Sequence, residues 1–316
     1  MVVAVSLVWF KRDLRVSDNQ ALLEAVNSQL PVICLFNIEP ERIHRDDVDS
    51  IHIEWELDCL TELRNSLESI GGKLLFNFGS TVDELTKINQ QFQIKKIFSN
   101  EETGLTWSWD VDKSVAKWCT ANEVDFIEYP TNGIVRRLDS RDNWKKERDS
   151  RVCDELVKTP EQIISPQGLE SDEIPRIEEL GLDSRELKQR PEPGEKAAIS
   201  VLFSFLDQRG RTYRKDMSSP ITGQDACSRL SPYLSSGCIS IRQIFYHTRR
   251  KQKRVKQNPR SAENRGWTSS LSSFQSRLAW HCHFIQRLEF ESTMDQIALN
   301  PELDEQLQRE YDEDRF

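Results

Sequence analysis

The densest group of residues suited to a phosphorylated ligand lies at 227–232. This loop reads Cys-Ser-Arg-Leu-Ser-Pro, so two hydroxyls and the guanidinium of Arg229 fall within four residues. Pro232 is favoured at the first position of a helix, where its missing N–H costs nothing, which makes Ser231 the predicted N-cap. Free N–H groups, hydroxyls and a guanidinium together suit a phosphate or pyrophosphate, although an ordinary helix cap has the same pattern.

A second charged group follows the first apolar run of the chain. Lys11, Arg12 and Arg15 surround Asp13, and Asp18 stands where it can cap the next helix. Such a loop suits an anion or a DNA backbone. The alternative interpretation is a solvated loop in which an arginine–aspartate pair holds the turn.

Two histidines near the end of the chain invite a metal-site hypothesis. His281 and His283 are two residues apart in a helical pattern, so they do not share a helix face, which disfavours chelation. We therefore predict packed or cofactor-adjacent aromatics here, together with Trp280, and no metal.

Positive charge is concentrated between residues 242 and 265. The nine cations there are Arg242, Arg249, Arg250, Lys251, Lys253, Arg254, Lys256, Arg260 and Arg265, and Glu263 is the one acid. They form either a solvated helix end and loop or a row of phosphate contacts to DNA. The last 28 residues reverse the sign, with ten acids and two arginines.

Five short apolar runs in the first 130 residues are typical of strands buried on both faces. They are 5–10, 32–38, 73–78, 94–98 and 124–129, and helical stretches at 18–27, 51–69, from 81 and at 107–121 separate them. This alternation predicts an α/β fold with a Rossmann-like, doubly wound parallel sheet. Ligands of such sheets bind outside the carboxyl ends of the strands.

The remainder of the chain predicts a linker and a helical domain. Residues 131–193 are rich in proline and acids, which indicates a surface linker with one or two short helices at most. Helical patterns follow at 196–208, 230–237, 239–246 and 275–291. We therefore predict three regions: an α/β domain at 1–130, the linker at 131–193, and a mainly α domain at 194–316.

Composition excludes several classes of protein. The 316 residues are 37% hydrophobic and 30% charged with a net charge of −9, which excludes a disordered chain and disfavours coating of nucleic acid by bulk charge. No apolar run approaches the ~20 residues of a membrane span, and the apolar N-terminus is expected to be a buried strand rather than a signal peptide. Seven widely spaced cysteines without a CxxC pair suit a reducing cytoplasm.

Several stretches together resemble the photolyase/cryptochrome family. Residues 8–22 (VWFKRDLRVSDNQAL) are similar to the family's opening, and 99–104 (SNEETG) with Trp107 to its antenna domain. Residues 212–220 (TYRKDMSSP) and 228–243 (SRLSPYLSSGCISIRQ) resemble the start of its flavin-binding domain. The similarity follows the family's order over essentially the whole chain.

The resemblance implies a light-driven function. The α/β domain would hold an antenna chromophore of the folate or deazaflavin type, and the helical domain would hold bent FAD. Reduced FAD would pass an electron to a pyrimidine dimer in damaged DNA, and the dimer would be flipped out of the duplex. This chemistry would require no hydrolytic acid, nucleophile or metal, and the resemblance assigns no catalytic residue.

The resemblance also implies individual roles. Tyr213, Ser228, Arg229, Leu230 and Ser231 match the family's flavin-binding stretch, and Cys227 stands where threonine is common. The family's later helix reads Trp-x-x-Glu-x-x-Trp-Arg, and the corresponding residues here are Phe274, Arg277, Trp280 and His281. Trp280 would stack on the lesion, whereas Phe274, Arg277 and His281 would contact the flavin. Arg249, Arg250 and Lys251 would contact DNA.

Three hypotheses follow from the resemblance. Family members are much longer, and the part without a counterpart here carries most of the isoalloxazine pocket. The chain is therefore expected to be a fragment or truncated product of a DNA photolyase, inactive alone unless a second chain supplies the other helical half. A cryptochrome-like blue-light photoreceptor is the second hypothesis, which Arg277 and His281 favour. The third is a non-catalytic remnant that binds a nucleotide or antenna pigment through the N-terminal sheet.

Overall fold

The computed structural model describes residues 2–130, 132–171, 173–187, 189–300 and 302–303. Its first part is a five-stranded parallel sheet in the order β3-β2-β1-β4-β5. The strands are β1 (Ala4–Phe10), β2 (Val32–Ile38), β3 (Leu74–Phe78), β4 (Gln93–Asn100) and β5 (Asp125–Tyr129). Helices α1 (Gln20–Asn27), α2 (Ser50–Glu68), α3 (Thr81–Gln91) and α4 (Thr106–Ala121) connect them. The predicted doubly wound α/β fold is confirmed.

Both faces of the sheet are covered by apolar side chains. Successive residues of a strand point to opposite faces, so neighbouring residues of β1 belong to different apolar clusters. Leu7 and Trp9 of β1 belong to one apolar cluster, which includes Leu85 of α3 and Val115 of α4. Val8 and Phe10 belong to another, which extends through α1 and α2 into the helices of the second part. The helical part therefore covers one face of the sheet.

The predicted cap of α1 is wrong by one residue. Asn19 is the N-cap, and its side chain accepts a hydrogen bond from the N–H of Leu22 at 3.2 Å. Asp18 has a left-handed backbone, with φ of 53°, so it lies outside the helix start. Its carboxylate is 1% exposed and contacts the helical part of the molecule.

The second part of the molecule is helical. The linker contains α5 (Trp144–Cys153) and a 3₁₀ turn (Ile177–Leu180). The later helices are α6 (Gly194–Asp207), α7 (Tyr213–Asp216), α8 (Gly223–Ala226), α9 (Ser231–Ser236), α10 (Ile241–Gln257) and α11 (Trp267–Phe290), with a 3₁₀ turn (Arg209–Thr212) after α6. None of the helices in the part of the chain that the structure describes is long and apolar enough to cross a membrane.

Helix α11 begins eight residues before the predicted start at 275. Its buried residues Trp267, Leu271, Phe274 and Leu278 recur at intervals of three and four, which places them on one face. The serines between them are polar enough to obscure this spacing in the sequence. Helix α10 likewise continues beyond the predicted end at 246. Its buried residues beyond that point are Thr248 and Val255, too few to give a recognisable apolar pattern among the basic residues.

Candidate functional site

A cleft of about 610 Å³ lies between the carboxyl end of the sheet and the helical domain. We call it the interdomain cleft. Loops after β1 and β4 form one side, with Arg12 and Glu102, whereas α9 and α11 form the other, with Leu234 and Phe284. A volume of this size lies within the ~300–1,000 Å³ range of small-molecule sites.

The structure brings together seven of the eight residues that the sequence predicts to contact a flavin. The cleft lining contains Tyr213, Ser228, Leu230, Ser231, Phe274, Arg277 and His281. The eighth residue, Arg229, is absent from that lining. Its backbone is left-handed, with φ of 63°, and its side chain is exposed to solvent.

Buried aromatic rings form one wall of the cleft. The Tyr213 ring meets Phe274 edge-on at 5.8 Å between centroids, and both pack against Phe205, at 5.5 and 4.6 Å. Burial raises the pKa of the Tyr213 phenol above its ordinary value, so the ring stays neutral. This wall is rigid and apolar, and it suits a flat ring system.

The predicted helix cap at Ser231 is wrong. Helix α9 begins at Ser231 itself, and the preceding Leu230 is already in the right-handed helical region, with φ of −91° and ψ of −6°. An N-cap side chain needs an extended backbone to reach back to the free N–H groups. Ser231 lines the cleft, and no side-chain hydrogen bond caps the start of α9.

Arg209 holds the loop that carries Ser228, a role that its sequence context does not reveal. Its guanidinium donates to the carbonyl oxygens of Val201 and Ser228, each at 3.2 Å, and to the carbonyl of Cys227. Its Nε donates to the Ser204 hydroxyl at 2.9 Å. One side chain thus ties the loop to α6. Nothing in the local sequence separates Arg209 from neighbouring exposed arginines.

We expect Arg209→Ala to loosen this loop and lower the free energy of unfolding by about 2 kcal/mol, since hydrogen bonds from a charged donor contribute ~1.5–3 kcal/mol each. Arg214→Ala, an exposed neighbour, should change stability by less than ~0.5 kcal/mol. Urea denaturation followed by circular dichroism measures both. Equal midpoints for the two variants would show that the guanidinium does not organise the loop.

His281 presents an unsatisfied polar atom at the cleft. Its Nδ1 is buried and has no hydrogen-bond partner among the described residues. Burial lowers the pKa of the imidazole, so the ring is neutral at pH 7. His283 lies apart from it, since its Nδ1 is 3.1 Å from a guanidinium nitrogen of Arg141.

Trp280 lies outside the cleft lining. The side chain is 51% exposed, the Arg277 guanidinium lies 4.6 Å from its ring centre, and the Phe284 ring meets it at 6.3 Å. Arg277 and Phe284 do line the cleft. The three side chains form an exposed rim on α11.

The predicted DNA residues on α10 are not part of this site. Arg249, Arg250 and Lys251 are absent from the cleft lining. Arg249 and Arg250 are exposed, and the Lys251 ammonium lies 4.5 Å from the ring centre of Trp267. The structure therefore separates the basic helix from the cleft.

The loop at 11–18 is neither solvated nor open to an anion along its length. Arg15 is 2% exposed and donates to the carbonyl oxygens of Gly237 at 2.9 Å and Asp18 at 3.0 Å. The buried Asp13 carboxylate accepts from the Asn100 amide at 2.6 Å. The loop joins the two domains, and Arg12 remains half-exposed at the cleft.

Further cavities adjoin the carboxyl ends of β1 and β2, where a doubly wound sheet binds ligands. Trp107 lines one of about 500 Å³ and a smaller one beside Phe36. Arg42 lines both cavities, and its guanidinium makes a double hydrogen bond to Glu56 at 2.7 and 3.1 Å. Arg42 and Arg45 also lie over the Trp107 ring, at 5.9 and 5.7 Å. An aromatic platform with fixed charges suits a conjugated ligand.

A buried carboxyl group on α4, that of Asp112, predicts a pH effect. Burial raises the pKa of Asp112 from 3.8 to about 7, and Glu128 adds to this, although Lys11 lies 2.8 Å away and opposes it. The folded chain therefore holds a proton that the unfolded chain has lost above about pH 4. Stability should fall as the pH rises from about 4 to about 7 and then level off. The unfolding temperature, measured between pH 4 and pH 7, should change less with pH in Asp112→Asn than in the unsubstituted chain. An equal pH dependence in both would contradict the assignment.

A parallel doubly wound sheet joined to a mainly helical part, with a cleft between the two, defines an α/β protein with a helical second part. The family model for DNA photolyase matches residues 6–165. The chain is 28% identical to a deoxyribodipyrimidine photo-lyase of Synechococcus sp. over 297 residues, which is 88% of this chain and 59% of that protein. It is 25% identical to a chloroplastic/mitochondrial cryptochrome DASH of Arabidopsis thaliana, over 79% of this chain and 48% of that protein.

Solved photolyase structures share the fold of this chain. A bacterial class III photolyase from Agrobacterium tumefaciens superposes with a TM-score of 0.77 at 20% identity, covering all of this chain and 64% of that one. The chain belongs to the photolyase/cryptochrome family. It spans about half to three-fifths of the length of the curated relatives that it matches.

Proposed function

We propose that the interdomain cleft binds FAD and that the chain provides part of a DNA photolyase, which splits cyclobutane pyrimidine dimers in light. The observation that carries this proposal is the convergence of seven predicted flavin residues on one cleft. The fit is chemical as well as spatial. The cleft offers a flat apolar wall at Tyr213 and Phe274, together with the serines Ser228 and Ser231.

The chemistry that bound, reduced FAD would supply is light-driven electron donation to the dimer, with return of the electron after the dimer splits. The residues of this chain would bind and orient. Ser228 and Ser231 would donate to the diphosphate or ribityl oxygens, and Arg12 would add positive charge from the sheet side. Tyr213 and Phe274 would exclude water. Trp280 would stack against an extruded lesion base, a contact of ~1–3 kcal/mol in single-strand binders.

The cavities around Trp107 support an antenna role in the same proposal. These cavities lie at the carboxyl edge of the sheet, next to the cleft. Arg12 lines both the cleft and the cavity of about 500 Å³. A conjugated pigment of the folate or deazaflavin type would stack on Trp107. The seven cysteines are unpaired, which supports a cytoplasmic location within the proposal.

The test is titration of the full chain with FAD, followed by quenching of flavin fluorescence. We expect Ser231→Asp to weaken binding at least tenfold, because a carboxylate would face the diphosphate, whereas Ser231→Ala should weaken it only a few-fold. Ser272→Asp places the same charge on an exposed part of α11 and is the matched control. No FAD binding, or equal binding by both aspartate variants, would overturn the cofactor assignment. Dimer loss from an irradiated oligonucleotide under blue light tests the repair step.

A cryptochrome-like photoreceptor is the second candidate. Arg277 reverses the charge of the usual carboxylate, and its guanidinium already covers the Trp280 ring. The reversed charge disfavours a lesion pocket. Preference for dimer-containing over undamaged DNA, at several salt concentrations, would support the photolyase; equal binding would support the photoreceptor.

The third candidate, a remnant that binds only a nucleotide or antenna pigment, requires an independent N-terminal sheet. The contacts of Arg15 with Gly237 and of Asp18 with Arg242 oppose that independence. Limited proteolysis separates these cases, because equal protection of 190–316 and 1–130 would exclude the remnant. Whether a second chain completes the helical half is tested by the mass of the complex in solution.

A further inference from the structure

The outer face of α10 combines cations with an aromatic ring. Tyr246, Arg249, Arg250 and Lys253 recur at intervals of three and four residues, so they share one face of the helix, and all are exposed. Residues on the other side, such as Ile244 and Val255, are buried against the helical core. None of the four exposed residues lines the interdomain cleft.

Aromatic rings continue this face onto the neighbouring helix α6. Phe203 is 40% exposed and Tyr246 is 36% exposed. The His247 ring lies between them, 4.9 Å from Phe203 and 5.2 Å from Tyr246. The Arg250 guanidinium lies over Tyr246 at 5.5 Å and donates to its hydroxyl at 2.8 Å. The rings and the guanidinium thus form a row.

The charge of this surface opposes that of the whole chain. The net charge is −9, yet nine cations and one acid occupy 242–265. Arg242 is engaged with Asp18, but the cations at 249, 250 and 253 face solvent. The nearest described ion pair joins Arg254 to Asp207 at 4.0 Å, at an exposed position. Cations beside exposed rings match a polyanion that also offers flat apolar groups.

We propose that this basic–aromatic surface, formed by Phe203, Tyr246, Arg249, Arg250 and Lys253, binds single-stranded nucleic acid. Phosphates would contact the cations, and unpaired bases would stack on Phe203 and Tyr246. A duplex hides its base faces, so it could use the cations but not the rings. The site lies apart from the flavin cleft and needs neither flavin nor a lesion.

The experiment measures anisotropy of a fluorescein-labelled oligothymidine of about 20 nucleotides, in the dark, with the full chain and no added flavin. We expect Phe203→Ala with Tyr246→Ala to weaken binding at least tenfold, because each stacked base contributes ~1–3 kcal/mol. Tyr246→Phe keeps the ring and should bind within about twofold of the unsubstituted chain. Circular dichroism verifies that each variant is folded.

Charge is tested separately. Replacing Arg249, Arg250 and Lys253 by Gln should reduce the slope of log K against log salt by about two, at ~0.7 per phosphate contact for single strands. Replacing Lys87, Lys113 and Lys145 by Gln is the matched control, because these side chains are 70%, 71% and 81% exposed elsewhere.

Two results would overturn the proposal: oligothymidine binding unaffected by loss of both rings, or equal losses for the two triple variants. Duplex binding as tight as single-strand binding would also refute it, because it would assign the surface to charge alone. The oligothymidine carries no dimer and the assay has no flavin, so failure here would leave the FAD assignment intact, and the reverse also holds.

Discussion

Asp18→Ala is expected to destabilise the protein by ~3–5 kcal/mol, because it removes one partner of a buried ion pair. The carboxylate is 2.8 Å from a guanidinium nitrogen of Arg242 and accepts from the N–H of Val157 at 2.9 Å and from the Ser240 hydroxyl. These partners come from the linker and from the start of α10. Without Asp18, the largely buried Arg242 guanidinium would lose its ion-pair partner and the Val157 N–H would lose its acceptor. The attachment of the helical part to the sheet would therefore weaken.

Urea denaturation followed by circular dichroism measures the effect. Asp18→Asn tolerates the left-handed backbone and keeps one acceptor, so it should lie between the alanine variant and the unsubstituted chain. Asp47→Ala removes the exposed pair with Arg45, at 34% and 39% side-chain exposure, and should cost less than ~1 kcal/mol. Equal losses for Asp18→Ala and Asp47→Ala would show that burial of the Asp18 pair has no energetic consequence.

Gly237→Ala is expected to lower the free energy of unfolding about as much as Asp18→Ala does, for a steric reason. Gly237 follows α9 with φ of +71°, and an added Cβ would lie 1.9 Å from the carbonyl oxygen of Arg12 and 2.5 Å from the Cα of Asp13. Both are backbone atoms and cannot rotate away. The left-handed conformation costs an L-residue ~1–2 kcal/mol, and the overlap adds ~1–3 kcal/mol or more. FAD affinity should fall as well, because the displaced segments line the cleft.

Gly168→Ala and Gly181→Ala are the matched controls. Each has φ of +78° and nothing within 4 Å of an added Cβ, so each should show the backbone cost alone. The difference in unfolding free energy between Gly237→Ala and these variants isolates the contact between α9 and the loop after β1. A difference near zero would contradict the close approach that the structure shows.

Local patterns predicted the strands well. Both faces of a parallel sheet are buried, so each strand appears as an uninterrupted apolar run, and β2 was predicted to the residue at 32–38. Helix ends were predicted less well. The start of α11 was missed because its buried residues are separated by serines, and Ser231 was assigned a cap because capping depends on backbone torsions that the sequence does not display.

The residues of the candidate site were likewise predicted only in part. Motif resemblance located Tyr213, Ser228 and Phe274, which line the cleft. It also named Arg229, whose left-handed backbone leaves its side chain in solvent. Arg209 was not predicted, since it acts on carbonyl oxygens of Cys227 and Ser228, 18 and 19 residues away in the chain.

By itself the sequence determined the α/β architecture, the mainly helical second part, and the family. These depend on the period of the apolar residues and on short contiguous motifs, both of which are local properties of a chain. Only the tertiary structure decided that Arg15 and Asp18 join the domains instead of meeting an anion, and that the basic face of α10 is separate from the cleft. A charged side chain has no fixed role until folding decides which of its possible partners lies within hydrogen-bonding distance and whether water can reach it.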